Sequence, residues 1–238
     1  MKRTRIFAFF ACLLVVAAAH AQFISGGNGK SKGNGKPNKA MAFLKGSDHD
    51  TGTWRGLRFA YDRPILKSTA EGSELKQGFN GFTLSYVQSW HVTRTLPLFV
   101  EAGGGLSFWR HSYDFSEEDI TLETSQNLLG LYIPVNAVYK IKINDRMAVK
   151  PYTGFYFRLW LTGKEKYESG VGGTASSDSY TLFGEEGCDW KRFQMGWQIG
   201  ASLDYNAYNF GFGYGIDFNQ AAPEARFGTF SLRVGMDF

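Results

Sequence analysis

Along most of its length the chain alternates, residue by residue, between apolar side chains and polar or small ones. At its C-terminal end Phe230, Leu232, Val234, Met236 and Phe238 alternate with Ser231, Arg233, Gly235 and Asp237. A period of two sends the two sets to opposite faces of a strand, so the strand separates an apolar medium from a polar one. The same alternation predicts strands at about 53–61, 79–91, 97–111, 127–143, 147–161 and 192–205. A further one sets Phe210, Phe212, Tyr214, Ile216 and Phe218 against Gly211, Gly213, Gly215 and Asp217, and the C-terminal strand makes the eighth.

The links between these strands alternate in length. Those at about 92–96, 144–146 and 206–208 are short and of tight-turn composition, whereas the stretches 63–77, 112–126 and 163–189 are long and polar. With eight strands, such a pattern puts every short turn at one end of an antiparallel meander and every long loop at the other. The fold class expected is all-β: an eight-stranded antiparallel up-and-down barrel that crosses a membrane, with an apolar outer face and a polar interior. A soluble lipocalin-like barrel holding a small ligand in an apolar interior has the same alternation with the faces exchanged. Against it stand the glycine-rich polar face, the length of several strands and the aromatic Phe238. Trp54, Trp90, Trp109, Trp160, Tyr139 and Tyr205 fit interfacial girdles in the membrane reading, with ordinary packing the other reading of each tryptophan.

The N-terminal stretch addresses compartment. Lys2, Arg3 and Arg5 precede an apolar run from Ile6 to Ala19, and Ala19-His20-Ala21 has the small-x-small form of a cleavage site, so residues 1–21 read as a secretory signal peptide. Residues 22–50 contain a Gly/Asn/Lys tract without apolar periodicity and are expected to form a flexible periplasmic tail, with the barrel over 51–238. Gly29-Lys30-Ser31 lacks the upstream glycine of a phosphate-binding loop, since Ile24 stands there. Removal of the signal leaves Cys188 as the only cysteine, which rules out an internal disulfide.

Composition adds 29 Gly, 21 Phe, 12 Tyr and 6 Trp, a load suited to strands and turns, while the net charge of +4 owes much to the lysines of the tail. Nucleic-acid binding is therefore not expected. No Cys/His spacing suggests a metal and no motif a cofactor.

The C-terminal strand, the stretch 130–140 (GLYIPVNAVYK), and the stretch 196–205 (GWQIGASLDY) with 210–215 (FGFGYG) resemble the small bacterial outer-membrane barrels of the PorT-like, or outer-membrane β-barrel domain, family. The fold is similar to the transmembrane domain of outer membrane protein A. The resemblance implies the outer membrane of a Gram-negative cell envelope as location and outer-membrane lipid as surroundings. It also implies that Phe230, Leu232, Val234, Met236 and Phe238 form the signal read by the assembly machinery. An extracellular ligand would be met by the long loops.

Eight strands enclose a lumen that side chains fill, whereas open aqueous pores need about 16 to 18. A charge on the lipid face near the membrane centre costs about 2–4 kcal/mol, so the strand charges are expected to turn inward as an ion network. Its members are Glu101, Lys140, Lys150 and Asp204 near the short turns, with Glu101 pairing Lys140, and Arg58, Arg158, Asp217 and Arg233 higher up. The function expected is non-enzymatic: surface interaction, envelope structure or support of secretion. A small gated channel is one alternative. A lipid-modifying hydrolase is another, for which His111-Ser112 near Asp114 and Glu117 is the best nucleophile–base pair, available only where the strand has given way to loop.

Overall fold

The computed structural model describes residues 52–68, 76–93, 96–117, 120–171, 174–184 and 189–238. The signal peptide and tail expected over 1–50 lie outside the described residues. Among the described residues eleven strands form one antiparallel sheet: β1 (Arg55–Ser68), β2 (Lys76–Gly78), β3 (Asn80–His91), β4 (Leu98–Glu117), β5 (Ile120–Tyr139), β6 (Ile141–Asn144), β7 (Met147–Val171), β8 (Thr174–Thr181), β9 (Phe193–Tyr205), β10 (Tyr208–Asp217) and β11 (Ala225–Asp237). Eight of them, β1, β3, β4, β5, β7, β9, β10 and β11, follow one another around the wall, and β11 closes it against β1 from Gly56↔Asp237 to Ser68↔Ala225. The three short strands extend this wall: β2 and β8 at the loop end, beside β1 and β7, and β6 at the turn end.

The pleat decides which side faces what. On β3 the residues Phe82, Leu84, Tyr86 and Trp90 are exposed, while Thr83, Ser85, Val87 and Ser89 between them are buried. The same holds around the wall, with Phe210, Phe212, Tyr214 and Ile216 out on β10 and Phe230, Leu232, Val234 and Met236 out on β11. A continuous apolar belt on the outside and polar residues inside invert a soluble barrel, so the lipocalin-like alternative falls. From Phe210 to Phe218 the belt covers eight residues of strand, roughly 27 Å along the chain and about 20 Å in height at a tilt near 40°. That suits a membrane-spanning apolar band.

Tight turns join the wall at one rim. Asp145-Arg146 and Asn206-Ala207 each close a hairpin, and Asn206 takes φ 54°, a left-handed conformation that asparagine tolerates. The opposite rim differs from the sequence expectation. The stretches 112–126 and 163–189 are largely strand, because β4 and β5 pair out to Glu117↔Ile120, β5 and β7 to Ile120↔Val171, and β7 and β8 to Val171↔Thr174. β4, β5 and β7 have 20, 20 and 25 residues, about twice what a membrane crossing takes. Their outer halves and β8 form a four-stranded sheet standing above the barrel.

A register shift marks the boundary: Leu129 pairs with Thr162, but Gly130 pairs with Trp160. The extra residue reverses the facing of β7, so that Gly163 and Glu165 are buried above the bulge while Lys164 and Lys166 face outward.

Candidate functional site

The densest group of polar and charged side chains among the described residues lies in the lumen, which has two unlike halves. Near the turn end Trp54 crosses the interior against Phe99, with ring centroids 4.7 Å apart, and Val138 and Tyr152 complete the cluster. The Trp54 indole N–H donates to Glu101 Oε2 at 2.8 Å, and Lys150 Nζ lies 3.8 Å from the centre of its ring. Lys150, almost wholly buried, contacts Asp204 and lies 3.1 Å from Asp237 Oδ2; the other oxygen of Asp237 takes the Arg58 guanidinium. Asn209 donates to Asp204 Oδ1 at 2.6 Å. Two cations and two carboxylates thus share one layer, each carboxylate with more than one donor, the condition under which buried charge is tolerated.

Above that layer the interior is a network of hydrogen bonds. Asp62 accepts from Thr83 and Ser231, the latter at 2.6 Å, and Thr83 and Ser107 share a further bond at 2.7 Å. Across the lumen Gln198 Oε1 accepts from Tyr132 Oη at 2.9 Å and from Arg233 at 3.0 Å, while its amide donates to Asn136 at 2.8 Å. Tyr152 lies over the cross-strand glycine pair Gly200↔Gly213 and donates to the Phe212 carbonyl at 3.2 Å. A Cβ on Gly213 would come within 2.3 Å of the Tyr152 hydroxyl, so the phenol fits only because that wall is bare. The space left is a cavity of about 50 Å³ lined by Asp62, Tyr132, Tyr152, Arg158, Gln198 and Arg233 among others. At roughly 10–15 Å³ per water it has room for a few waters.

The loop-side half is aromatic. Trp109 stacks edge-on against Trp160 at 4.9 Å and Phe227 at 5.1 Å, with Phe79, Leu128 and Leu182 filling the remaining space. Arg158 sits beneath this plug, its guanidinium 4.0 Å from the Trp109 ring centre. Asp217 takes the Tyr156 hydroxyl, and one of its oxygens, like Nε and Nη1 of Arg158, has no protein hydrogen-bond partner.

The eight charges expected in the lumen distribute as follows. Arg58, Lys150 and Asp204 meet in the turn-side layer, joined by Asp237; Glu101 is beside them but bonds Trp54. Lys140 Nζ lies 5.8 Å from the Trp54 ring centre. Arg58 was expected higher; its side chain bends to the turn rim, where it also donates to the Leu57 carbonyl. Arg158, Arg233 and Asp217 stand higher, Arg233 on Gln198 and Arg158 on Trp109. Phe230, Leu232, Val234, Met236 and Phe238 lie exposed on the outer face of the closing strand and just past it.

The girdle candidates divide between the two readings. Trp54, Trp109 and Trp160 are buried inside, whereas Trp90 and Tyr205 are exposed on the outer face. Parity explains this, because Trp109 lies eight residues from Glu101 on the same face of β4. The His111–Ser112 pair does not form. β4 continues through both residues, His111 Nδ1 bonds the Gly78 carbonyl at 2.7 Å, and Ser112 is exposed. Asp62, Asp237, Gln198 and the interior tyrosines went unrecognised, although inward parity marked each of them.

A closed eight-stranded wall with an apolar exterior and a filled polar interior defines an integral outer-membrane barrel. Residues 59–221 match the outer membrane protein beta-barrel domain family, so the chain belongs to that family and is a protein of the bacterial outer membrane. No curated protein matches the sequence. Among solved structures it is similar to Ail, the attachment invasion locus protein of Yersinia pestis, in complex with the heparin analogue sucrose octasulfate (16% identity, 78% of this chain, 99% of that one, TM-score 0.39). It is also similar to Neisserial surface protein A (15%, 79% and 99%, 0.37) and to the outer membrane enzyme PagL (15%, 74% and 98%, 0.40).

Proposed function

We propose that the protein is a non-enzymatic surface barrel: a plugged membrane anchor whose working part is the four-stranded sheet of β4, β5, β7 and β8 beyond the loop rim. The observation that carries this reading is the contrast between a lumen packed with side chains around a cavity of about 50 Å³ and strands of 20, 20 and 25 residues that run on past the membrane. A filled lumen leaves conduction without a path, and strands longer than a crossing requires place exposed side chains such as Ser176, Ser177 and Asp178 away from lipid. An extracellular partner would then meet the raised hairpins, and the same display serves a role in envelope organisation or as an accessory to secretion. The apolar row of β11 is the surface offered to the assembly machinery.

The test is topology and contact together. An epitope inserted at Ser177 should be reached by antibody on intact cells, while one at Asp145 should be reached only after the envelope is opened. Cells carrying the protein with the hairpin tips of β4–β5 and β7–β8 shortened should lose surface contacts captured by crosslinking while keeping the heat-modifiable barrel. Reversed labelling, or unchanged capture from the shortened protein, would remove the surface reading.

A further inference from the structure

The loop rim carries an arrangement of charge that the fold itself does not account for. On the outer face, β1 lies between β11 and β2 in a register that puts Lys67 opposite Arg226 on one side and opposite Lys76 on the other. Residues directly paired across antiparallel strands share a face, and all three of these are exposed. With neighbouring strands about 4.8 Å apart, three like charges leave the wall within roughly 10 Å of one another. Directly opposed like charges destabilise a strand pair. Among the described residues no carboxylate makes an ion pair with any of the three.

Their height is equally specific. One repeat closer to the membrane the facing residues are Gly228, Ile65 and Gly78, and one repeat below that Arg63 stands opposite Phe230 of the apolar belt. Two residues of strand are about 7 Å, or roughly 5 Å in height at the tilt of such barrels, so the row of cations stands at the level of the headgroups just beyond the belt. Arg63 is itself occupied, donating to Asn80 and to the Phe79 carbonyl.

We propose that Arg226, Lys67 and Lys76 form a binding site for the phosphorylated headgroup of a membrane lipid in the leaflet at the loop rim. The phosphate supplies an ion-pairing partner that no described carboxylate gives the row, and turns a repulsive strand pairing into a neutralised one. The site depends only on the chain being embedded in a membrane, so it stands whichever rim faces outward and whatever the hairpins contact.

The test uses the full-length protein reconstituted in vesicles of a zwitterionic phospholipid, alone or with a phosphatidylglycerol fraction, and follows its unfolding midpoint in urea. The variant is Lys67→Gln with Lys76→Gln and Arg226→Gln; Arg55→Gln with Arg146→Gln at the turn rim is the control. In zwitterionic vesicles the triple variant should be at least as stable as the wild type, because the repulsion is gone. With phosphatidylglycerol the wild type should gain stability and the variant should not, while the control gains as the wild type does. Lipid retained through native mass spectrometry should fall roughly fivefold per cation removed, the effect of one basic residue near an anionic surface. If wild type and triple variant respond alike, or the control loses the response, the site is refuted. If inorganic phosphate in zwitterionic vesicles stabilises the wild type as strongly as phosphatidylglycerol, the ligand is a free anion and the lipid assignment is overturned.

Discussion

The two halves of the lumen are closed by different physics. Toward the turns, Arg58, Lys150, Asp204 and Asp237 form a layer whose members are each held by partners, roofed by Trp54. Toward the loops, Trp109, Trp160, Phe79 and Phe227 fill the same bore mainly by aromatic packing. The turn-side half is therefore sensitive to charge and tolerant of volume, and the loop-side half the reverse. A barrel that needed only to be sealed has no use for four buried charges, since apolar packing at similar volume is often as stable. The ionic layer is where the wall closes: Asp237 belongs to β11, Arg58 to β1 and Lys150 to β7, so the layer ties the last strand to the first and to the opposite wall.

The comparison is broken most directly by substitutions that keep volume and remove charge. Lys150→Met leaves Asp204 and Asp237 buried without their ammonium and should cost about 3–5 kcal/mol in urea unfolding from vesicles. Adding Asp204→Asn should recover part of that loss, and strictly additive losses would show that the layer is not coupled. In the aromatic half Trp109→Ala should cost a similar ~3–5 kcal/mol through the cavity it leaves, whereas Trp109→Phe should cost far less, measured the same way. If Lys150→Met proves as mild as Trp109→Phe, the two halves do not differ as described.

A narrower test addresses the space between them. Gly213→Ala drives a methyl group into the Tyr152 hydroxyl and should cost about 1–3 kcal/mol in the same unfolding assay. Tyr152→Phe alone gives up one hydrogen bond, about 0.5–1.5 kcal/mol, yet it should rescue Gly213→Ala, because the remaining contacts of the added methyl are at 3.4 Å. Failure of the rescue would mean that the bare wall of β9 and β10 does not exist to seat that phenol.

Strand count, the inside–outside assignment and the separation of turns from loops were legible because lipid on one side and a polar interior on the other impose an unbroken period of two. That signal ends where both faces meet water. The outer arms of β4 and β7, and β8 with its Ser176, Ser177 and Asp178, carry no apolar alternation and so read as loops. For Trp109 and Trp160, size and amphipathic character suit an interface and a packed interior alike, and parity with Glu101 and Arg158 on the same faces is what places them inside. The role of Asp237 was hidden because it depends on the closure of β11 onto β1, a long-range pairing that no local pattern specifies. The bulge between Leu129 and Gly130 likewise decides that Glu165 is buried while Lys164 and Lys166 face out, and nothing near Leu161 announces it.

The closed lumen is tested most directly by planar-bilayer recording of the folded wild-type protein. With both halves in place the bilayer should show no sustained stepwise conductance, and none should appear in Lys150→Met molecules that remain folded, because side chains still fill the bore. A stable, wide conductance from the wild-type barrel would contradict the filled lumen and make the protein a channel.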